Sequence, residues 1–236
     1  MSGVHFTTNL SIIIQIITGL VSFNGIFLEL PEKHKILNEI LALETFVQLI
    51  ELFFYIYFLR ALAAKYVHKM ASIRYFDWAI TTPTMLLTTI IYIKYEEYIE
   101  ENKDKVLKFS DFLKDNTQNI ITIVVCNFLM LLFGYLGEIG LIDMSLSIIL
   151  GFIFFAYTFY VIYRDYATKS KKSLNLFYFI LSVWSLYGLA AIFSPHHKNN
   201  TFNILDVFAK NFFGLYLYYK AVEVHRASID IKHAEA

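Results

Sequence analysis

Asp206 and Lys210 stand one helical turn apart near the C-terminus, within an otherwise apolar stretch of the chain. A charged side chain at the centre of a bilayer costs from about 2.5 to more than 10 kcal/mol, so such residues are usually paired and functional. Apolar surroundings favour the neutral form of an amine, and a neutral lysine can condense with an aldehyde to form a Schiff base. The alternative is a buried ion pair that only holds two helices together. The pair alone leaves both interpretations open.

A row of polar residues in the second apolar segment offers a different chemistry. Glu44, Gln48 and Glu51 are spaced i, i+4 and i+7, so they lie on one helix face and climb about 10 Å along its axis. Tyr55 extends the row by another turn. Two glutamates at this depth are costly unless they face water or partners inside a bundle, and acidic groups that line a hydrated route select cations. The row therefore predicts an ion path.

Three more polar residues can join this row. They are Ser11 and Gln15 in the first apolar segment and Asn203, which lies one turn before Asp206. Small polar residues in membrane helices often only hydrogen-bond to a neighbouring helix, and for Ser11 taken alone we favour that second interpretation.

The elements that position these residues are long apolar helices. The chain has 236 residues, of which 57% are hydrophobic and 17% charged, with a mean hydropathy of +0.53, and this composition is typical of a polytopic membrane protein. A bilayer core needs about 20 apolar residues per helix. We therefore predict an all-α bundle of seven transmembrane helices, at approximately Asn9–Leu28, Leu37–Leu59, Ser72–Ile93, Asn119–Leu136, Met144–Tyr163, Leu174–Phe193 and Asn203–Val222.

The basic residues predict the orientation of the bundle. If the N-terminus lies outside, fourteen of the twenty lysines and arginines fall on the inside and four on the outside. The positive-inside rule then places the N-terminus outside and the C-terminus inside, although the loop after the second helix is more basic than this orientation expects. Arg74 and Lys210 are left within the membrane.

The chain reads as one seven-helix domain over residues 1–226 with a polar tail at 227–236, because no Pro- or Gly-rich linker divides it. In the charged loop 95–118, apolar residues recur at helical spacing, which predicts an amphipathic cytoplasmic helix; a solvated loop is the alternative. Cys126 is the single cysteine, so we expect neither a disulfide framework nor a metal site. We also expect no removable signal peptide, since the first residues lack a basic region and a cleavage site.

Sequence motifs in three of the seven segments resemble those of the microbial (type 1) rhodopsins. The third helix of that family carries the pattern RYxDWxxTTP, and here Arg74 begins the sequence RYFDWAITTP. Its seventh helix carries LDxxxK followed by FGL; here LDVFAK ends at Lys210 and FGL begins at Phe213. The sixth segment adds WSLY from Trp184, similar to the family's WxxY. The resemblance covers all seven helices and is specific in the third, sixth and seventh.

This resemblance implies a cofactor. Lys210 would bind all-trans retinal as a protonated Schiff base, with Asp77 and Asp206 as its counterions and Arg74 keeping the local charge near neutral. Asp77 would accept the proton after light absorption. The other pocket residues that the family pattern implies are Trp78, Thr82, Met130, Gly134, Trp184 and Tyr187.

Within this family, the glutamate row makes the chain most similar to the group-one viral rhodopsins of large algal viruses. Members of that group are regarded as light-gated cation channels with calcium-related regulation. The implied ion path consists of Ser11, Glu44, Gln48, Glu51, Arg74 and Asn203. Algal channelrhodopsins differ, because they carry a cysteine where this chain has Thr82 and an aspartate near Asn127. Their gating pair is missing here, and their gating kinetics should not be transferred.

Two other functions remain open. Outward proton pumps of the family usually carry a carboxylate eleven residues after the acceptor, where this chain has Thr88, so Glu44 would have to act as an unconventional proton donor. A sensory rhodopsin would instead signal through a partner protein docked on residues 95–118.

The remaining expectations concern activity, partners and location. We expect no enzymatic activity, since little chain follows the seventh helix to form a catalytic domain. We expect no nucleic-acid binding, because the basic residues are dispersed among loops that face an anionic leaflet. The implied partners are the lipid bilayer, monovalent cations or protons, calcium as a further cation, and further copies of the chain in a homo-oligomer. The location would be a host cell membrane if the chain is viral.

Overall fold

The computed structural model describes residues 2–63, 65–101 and 106–234, and most of these residues are helical. A π turn, Val207–Asn211, joins the last two helices into one rod, called here the seventh rod. The chain is a seven-helix membrane bundle, as the sequence predicts. Its helices are α1 (Ser2–Gly25), α2 (Ile36–Ala63), α3 (Val67–Glu100), α4 (Phe109–Asp115), α5 (Thr117–Glu138), α6 (Met144–Asp165), α7 (Lys171–Ala190), α8 (Pro195–Asp206) and α9 (Phe212–Ala234).

The spans predicted from hydropathy fall on these rods, although α3 extends well beyond both ends of its predicted span. On length and composition, five stretches are able to cross a membrane: Gly3–Gly25, Glu32–Ala63, Thr117–Glu138, Met144–Lys169 and Lys171–Ala190. The other two rods, α3 and the seventh, are less apolar because they carry Asp77, Asp206 and Lys210. These two rods thus carry the buried lysine and two of the carboxylates predicted from the sequence.

The loop between α3 and α5 contains the extra helix that the sequence predicts, but this helix is short. The first residues of the predicted loop belong to α3, which continues to Glu100, and α4 covers only Phe109–Asp115. Phe112 of α4 is buried, and its ring centroid lies 6.3 Å from that of Tyr166. Residues 102–105 of the predicted loop lie outside the described residues. Within what is described, α4 packs on the bundle rather than standing free.

The bundle has an apolar exterior and a partly polar interior, and α1 shows this most clearly. Large apolar side chains of α1, such as Phe6, Ile13 and Leu20, are exposed. Its buried face carries a polar stripe, whose members recur every three or four residues and so line one side of the helix: Thr8, Ser11, Gln15, Thr18 and Ser22. This stripe faces α2 and the seventh rod, against which α1 packs. Because lipid offers no hydrogen bonds, polar groups of a membrane helix belong on such an inward face.

Side chains satisfy backbone groups at the C-terminal end of α1 and at the N-terminal end of α6. The Nδ2 atom of Asn38 lies 3.0 Å from the carbonyl oxygen of Gly25 and 3.1 Å from that of Leu28, so it satisfies backbone groups at and just beyond the end of α1. Asp143 precedes α6 and accepts hydrogen bonds from the first N–H groups of that helix. At the other end of the chain, α9 continues through residues 227–234 of the predicted polar tail as a largely exposed helix.

Candidate functional site

Lys210 lies in a buried cluster with three carboxylates among the described residues. Its Nζ atom is 3.1 Å from Asp77 Oδ2, 3.4 Å from Glu51 Oε1 and 3.6 Å from Asp206 Oδ1. All four side chains are buried, and the carboxylates come from α2, α3 and the end of α8. From the sequence we expect Asp77 and Asp206 beside Lys210 but assign Glu51 to the ion path. The structure places Glu51 against Lys210 as well, so the predicted cofactor site and the predicted ion path meet at Lys210 Nζ.

The π turn Val207–Asn211 carries Lys210. Such turns are rare and occur frequently at functional sites, because they insert an extra residue into the helical ladder. Here the turn begins directly after Asp206 and separates α8 from α9. It sets the rotation of the residues that follow Lys210, and it has no signature in the sequence.

The carboxylate of Asp206 is held by three hydrogen-bond donors. Tyr55 donates to Oδ2 at 2.7 Å, and Arg74 Nη1 donates to the same oxygen at 2.9 Å. Tyr187 donates to Oδ1 at 2.8 Å. Because hydrogen bonds to a charged group are the stronger kind, these three donors fix the orientation of the Asp206 carboxylate.

Asp77 and Glu51 are less fully paired than Asp206. Within the described residues, Oδ1 of Asp77 and both carboxylate oxygens of Glu51 have no hydrogen-bond partner, although Glu51 Oε1 is close to Lys210. A buried acceptor without a partner costs about 1 to 3 kcal/mol. These two carboxylates are therefore the groups of the cluster that can take up a further proton or cation.

The formal charges of the cluster do not balance. Glu51, Asp77 and Asp206 supply three negative charges, whereas Lys210 and Arg74 supply two positive ones, which leaves a net charge of minus one when all are ionised. An uncompensated buried charge is strongly unfavourable. The cluster therefore attracts one more positive charge.

Arg74 connects the cluster to one end of the bundle. Its guanidinium is completely buried and donates to Asn199 Oδ1 at 3.4 Å and also to the side-chain oxygen of Asn203. Its charged carbon lies 4.5 Å from the ring centroid of Phe58, within cation–π range. The sequence indicates Arg74 and Asn203 but gives no indication of Asn199. Its position four residues before Asn203, on the same helix face, is the signal that could have revealed it.

Asn203 in turn ties α8 to α1. Its side-chain amide donates to the hydroxyls of Thr7 and Thr8 at 2.8 and 3.0 Å, and the Ser11 hydroxyl donates to its backbone carbonyl at 3.2 Å. The interhelical hydrogen bond that we favour for Ser11 taken alone is therefore present. These contacts pack the N-terminal part of α1 onto the Arg74 network.

Glu44 lies at the other end of the glutamate row and contacts α3. The Thr88 hydroxyl donates to Glu44 Oε1 at 2.5 Å, and both residues are buried. Gln48, between the two glutamates, is buried too, and neither its oxygen nor its nitrogen has a hydrogen-bond partner in the part of the chain that is described. The sequence predicts that this row lies on one helix face, and in the structure that face is directed towards the bundle interior.

An apolar cavity extends from Lys210 between the other helices. Its lining comes from α3, α5, α6, α7 and the seventh rod. Seven of the predicted pocket residues line it: Trp78, Thr82, Met130, Gly134, Trp184, Tyr187 and Lys210. Asp77 and Asp206 instead contact Lys210 as described above. An apolar aldehyde fits this arrangement, because the walls are largely apolar and Lys210 is part of the lining.

Two glycines keep the cavity open. A Cβ atom on Gly134 would lie 2.8 Å from the ring of Tyr75, and one on Gly188 would lie 2.5 Å from the ring of Phe152. Both distances are too short for carbon atoms, so either ring would have to move. Gly188, Tyr75 and Phe152 line the same cavity. Tyr75 belongs to the motif of the third helix but is not among the predicted pocket residues, and the motifs do not include Gly188 or Phe152.

A neutral hydrogen-bonded pair connects α3 to α5 beside the cavity. The Asn127 amide donates to the Thr82 hydroxyl at 2.8 Å, and Thr82 donates to the carbonyl of Trp78 at 2.6 Å. These are the two positions at which the sequence departs from the algal channelrhodopsins. Their side chains are in contact here, but without a thiol or a carboxylate.

Comparison with known proteins gives consistent results. The sequence model of the family described as "Bacteriorhodopsin-like protein" matches residues 6–224. No curated protein matches the chain by sequence. Among solved structures, the viral rhodopsin OLPVRII is similar with 29% identity and a TM-score of 0.79, over 94% of this chain and 98% of that one.

Two more distant structures show the same fold. A blue light-absorbing proteorhodopsin from Med12 has 21% identity and a TM-score of 0.71, over 93% of this chain and 97% of that one. The bromide-bound halorhodopsin from Halobacterium salinarum has 15% identity and a TM-score of 0.68, over 95% and 96% of the two chains. At these identities the likeness concerns the fold alone.

Proposed function

This chain belongs to the bacteriorhodopsin-like family, and from that premise we propose that it is a light-gated cation channel with retinal bound to Lys210. Members of the family bind retinal through a Schiff base on a lysine. Lys210 borders the apolar cavity, and its amine has carboxylates on the opposite side. Bound retinal would supply light absorption and a light-driven change of shape at Lys210 Nζ.

The residues around that atom have different roles in this proposal. Asp206 keeps its orientation, because Tyr55, Tyr187 and Arg74 donate hydrogen bonds to its oxygens. Asp77 accepts a proton when its contact with Lys210 changes, since its second oxygen has no other partner within the described residues. A change at Lys210 also alters its electrostatic contact with Glu51, which lies on the glutamate row.

The observation that carries the proposal is the buried glutamate row itself. Glu44, Gln48 and Glu51 are at most 2% exposed, and each has at least one polar atom without a hydrogen-bond partner among the described residues. Lipid cannot supply partners, whereas water or a cation can. A row of such groups along about 10 Å of helix α2 fits a hydrated cation path.

The same path would continue past the Lys210 cluster to the Arg74 network. There Arg74, Asn203 and Ser11 join α3, α8 and α1 by hydrogen bonds. We infer that this network closes the path in the dark, because it leaves the side chains bonded to one another rather than to water. A light response that loosens these bonds would open it.

Voltage clamp of membranes that contain the retinal-loaded protein tests this proposal. A photocurrent whose reversal potential follows the imposed cation gradient is expected, and Lys210→Ala should abolish it together with the visible absorption band. A current that stays outward at every accessible voltage would exclude a channel. A normal photocycle without any current would point instead to a sensory function.

A second function, a light-driven proton pump, is favoured by one contact. The residue eleven positions after Asp77 is Thr88, and it holds the carboxyl group of Glu44 at 2.5 Å. A carboxyl group is therefore present at that level of the bundle, although it comes from α2 rather than α3. Glu44 would then return the proton to the site at Lys210.

The pump predicts that Glu44→Gln slows the return to the dark state and removes light-driven acidification. Glu39→Gln is the matched control, because Glu39 lies on the same helix but is exposed. Acidification against a proton gradient by the unmodified protein would favour the pump over the channel. If the two variants behave alike, Glu44 is not the donor.

A further inference from the structure

Polar atoms without partners are concentrated where α1, α2 and the seventh rod meet. On α1, Gln15 is 1% exposed, and neither its Oε1 nor its Nε2 atom has a hydrogen-bond partner within the described residues. It lies in the middle of the polar stripe of α1, one turn before Gly19. It therefore lies on the same face of α1 as Gly19, which packs against α2.

Gln48 lies across that interface. A Cβ atom on Gly19 would be 3.7 Å from the Cβ atom of Gln48, so the two helices pack closely at this level. The Nε2 atom of Gln48 lies 3.9 Å from where a Cβ atom on Gly214 of α9 would be. The Gln48 side chain is thus enclosed between α1 and the seventh rod by residues without side chains.

Asn211 adds a third amide from the seventh rod. It is 1% exposed, follows Lys210 in the π turn, and has no hydrogen-bond partner on either side-chain atom in the described residues. It precedes Gly214 by three residues, so both lie on the same side of the rod. Ser22 of α1, which also lacks a side-chain partner there, would lie 3.3 Å from a Cβ atom on Gly214.

Such a concentration of unpaired groups is not expected in a stable protein interior. Buried polar atoms are nearly always paired, and a native exception usually indicates a bound water or ion. Three amides with both polar atoms unpaired would cost several times the price of one orphaned group. Their three carbonyl oxygens are consistent with a bound cation, whereas the amide nitrogens would need water as a partner.

The net charge of the ionised cluster is consistent with a cation as the ligand. Glu51 follows Gln48 by three residues on the same helix face, and it belongs to the cluster whose formal charge is minus one. Amide and carboxylate oxygens are ligands for hard cations, and neutral amides hold such ions weakly enough to release them. A cation beside Glu51 would balance the charge without a proton.

We propose that Gln15, Gln48 and Asn211, together with Glu51, form a binding site for a partly dehydrated monovalent cation such as Na⁺ or K⁺. The proposal deepens the proposed channel function and rests on it, because the site lies on the same path and would be a step of permeation. Gly19 and Gly214 leave room for the ion beside the Gln48 amide, because neither residue has a side chain.

Thermal denaturation of the retinal-loaded protein in detergent tests the site without a photocurrent. NaCl or KCl is compared with choline chloride at equal ionic strength, since choline is too large to enter. A bound cation should raise the apparent melting temperature of the unmodified protein by several degrees over the choline value. Equal melting temperatures in the three salts would overturn the proposal and would indicate that water satisfies these amides.

Gln48→Leu sharpens the test. Replacing an orphaned amide by an apolar group is neutral or stabilising when nothing binds there. The variant should therefore melt at or above the unmodified protein in choline, and should lose the increase in Na⁺ or K⁺. Thr158→Val is the matched control, because Thr158 on α6 is also buried with an unpaired hydroxyl among the described residues but lies away from this interface. Loss of the Na⁺ effect in the control as well would refute the assignment.

Photocurrents separate this proposal from the channel. If the site lies on the path, Gln48→Leu should lower the Na⁺ photocurrent at least ten-fold while the absorption band is retained. A salt effect on melting without any photocurrent would remove the channel and keep the cation site. Photocurrents without a salt effect on melting would keep the channel and remove the cation site.

Discussion

Removal of the Tyr55 hydroxyl tests the shell that holds Asp206. Tyr55 is completely buried, donates to Asp206 Oδ2 at 2.7 Å and accepts from Arg74 Nη1 at 3.2 Å. Tyr55→Phe deletes one oxygen atom and keeps the ring in place against Phe58. It therefore removes two hydrogen bonds to charged groups with little change in packing.

The expected cost follows from the donor that Asp206 loses. Hydrogen bonds to charged groups contribute about 1.5 to 3 kcal/mol, and Arg74 remains as the second donor to the same oxygen. For a chain of this size, each kcal/mol lowers the melting temperature by roughly 2 to 4 °C. We therefore expect Tyr55→Phe to lower the apparent melting temperature by about 3 to 12 °C.

Loss of the visible absorption band on heating is the assay, and Tyr57→Phe is the control. Tyr57 lies two residues further along the same helix and is 47% exposed, so the same atomic change should alter the melting temperature very little. Equal melting of the two variants would refute the argument that Tyr55 holds Asp206. Tyr187→Phe, combined with Tyr55→Phe, should show a non-additive effect, because both hydroxyls bind one carboxylate.

Three other changes have direct readouts. Lys210→Ala should prevent formation of the visible band when retinal is added, whereas Lys220→Ala, on α9, should not. Gly188→Ala should reduce the yield of pigment, because its methyl group would meet the ring of Phe152, and an unchanged yield would show that the cavity has more room than described. Thr88→Val should alter the rate of return to the dark state as measured by flash absorption, since it releases the Glu44 carboxyl group, and an unchanged rate would show that this bond has no kinetic role.

Much of this arrangement follows from helix periodicity, which the backbone enforces. The row of Glu44, Gln48 and Glu51 could be assigned to one face because membrane helices have a fixed 3.6-residue repeat. The polar stripe of α1 obeys the same rule. Its spacing also places Thr18 and Ser22 on one face with Ser11 and Gln15, a pattern that apolar length alone does not show.

Other features depend on packing between elements that are distant in sequence. The contact of Glu51 with Lys210 requires a particular rotation of α2 against the seventh rod, and no local pattern fixes that rotation. The π turn contacts α1, α2 and α7, which are distant from it in sequence, so no local pattern predicts it. The predicted orientation in the membrane rests on loop charges alone and stays a prediction.

The cavity and the unpaired amides lie on opposite sides of Lys210. The cavity is lined by α3, α5, α6, α7 and the seventh rod, whereas the amides come from α1, α2 and the seventh rod. Away from Glu51, which contacts Lys210 and also belongs to the proposed cation site, colour and permeation would therefore be separable traits of one molecule. Substitutions at Gly134 should move the absorption maximum and leave the permeability ratio unchanged, and substitutions at Gln15 should do the opposite, so that an engineer could combine variants from the two sides freely.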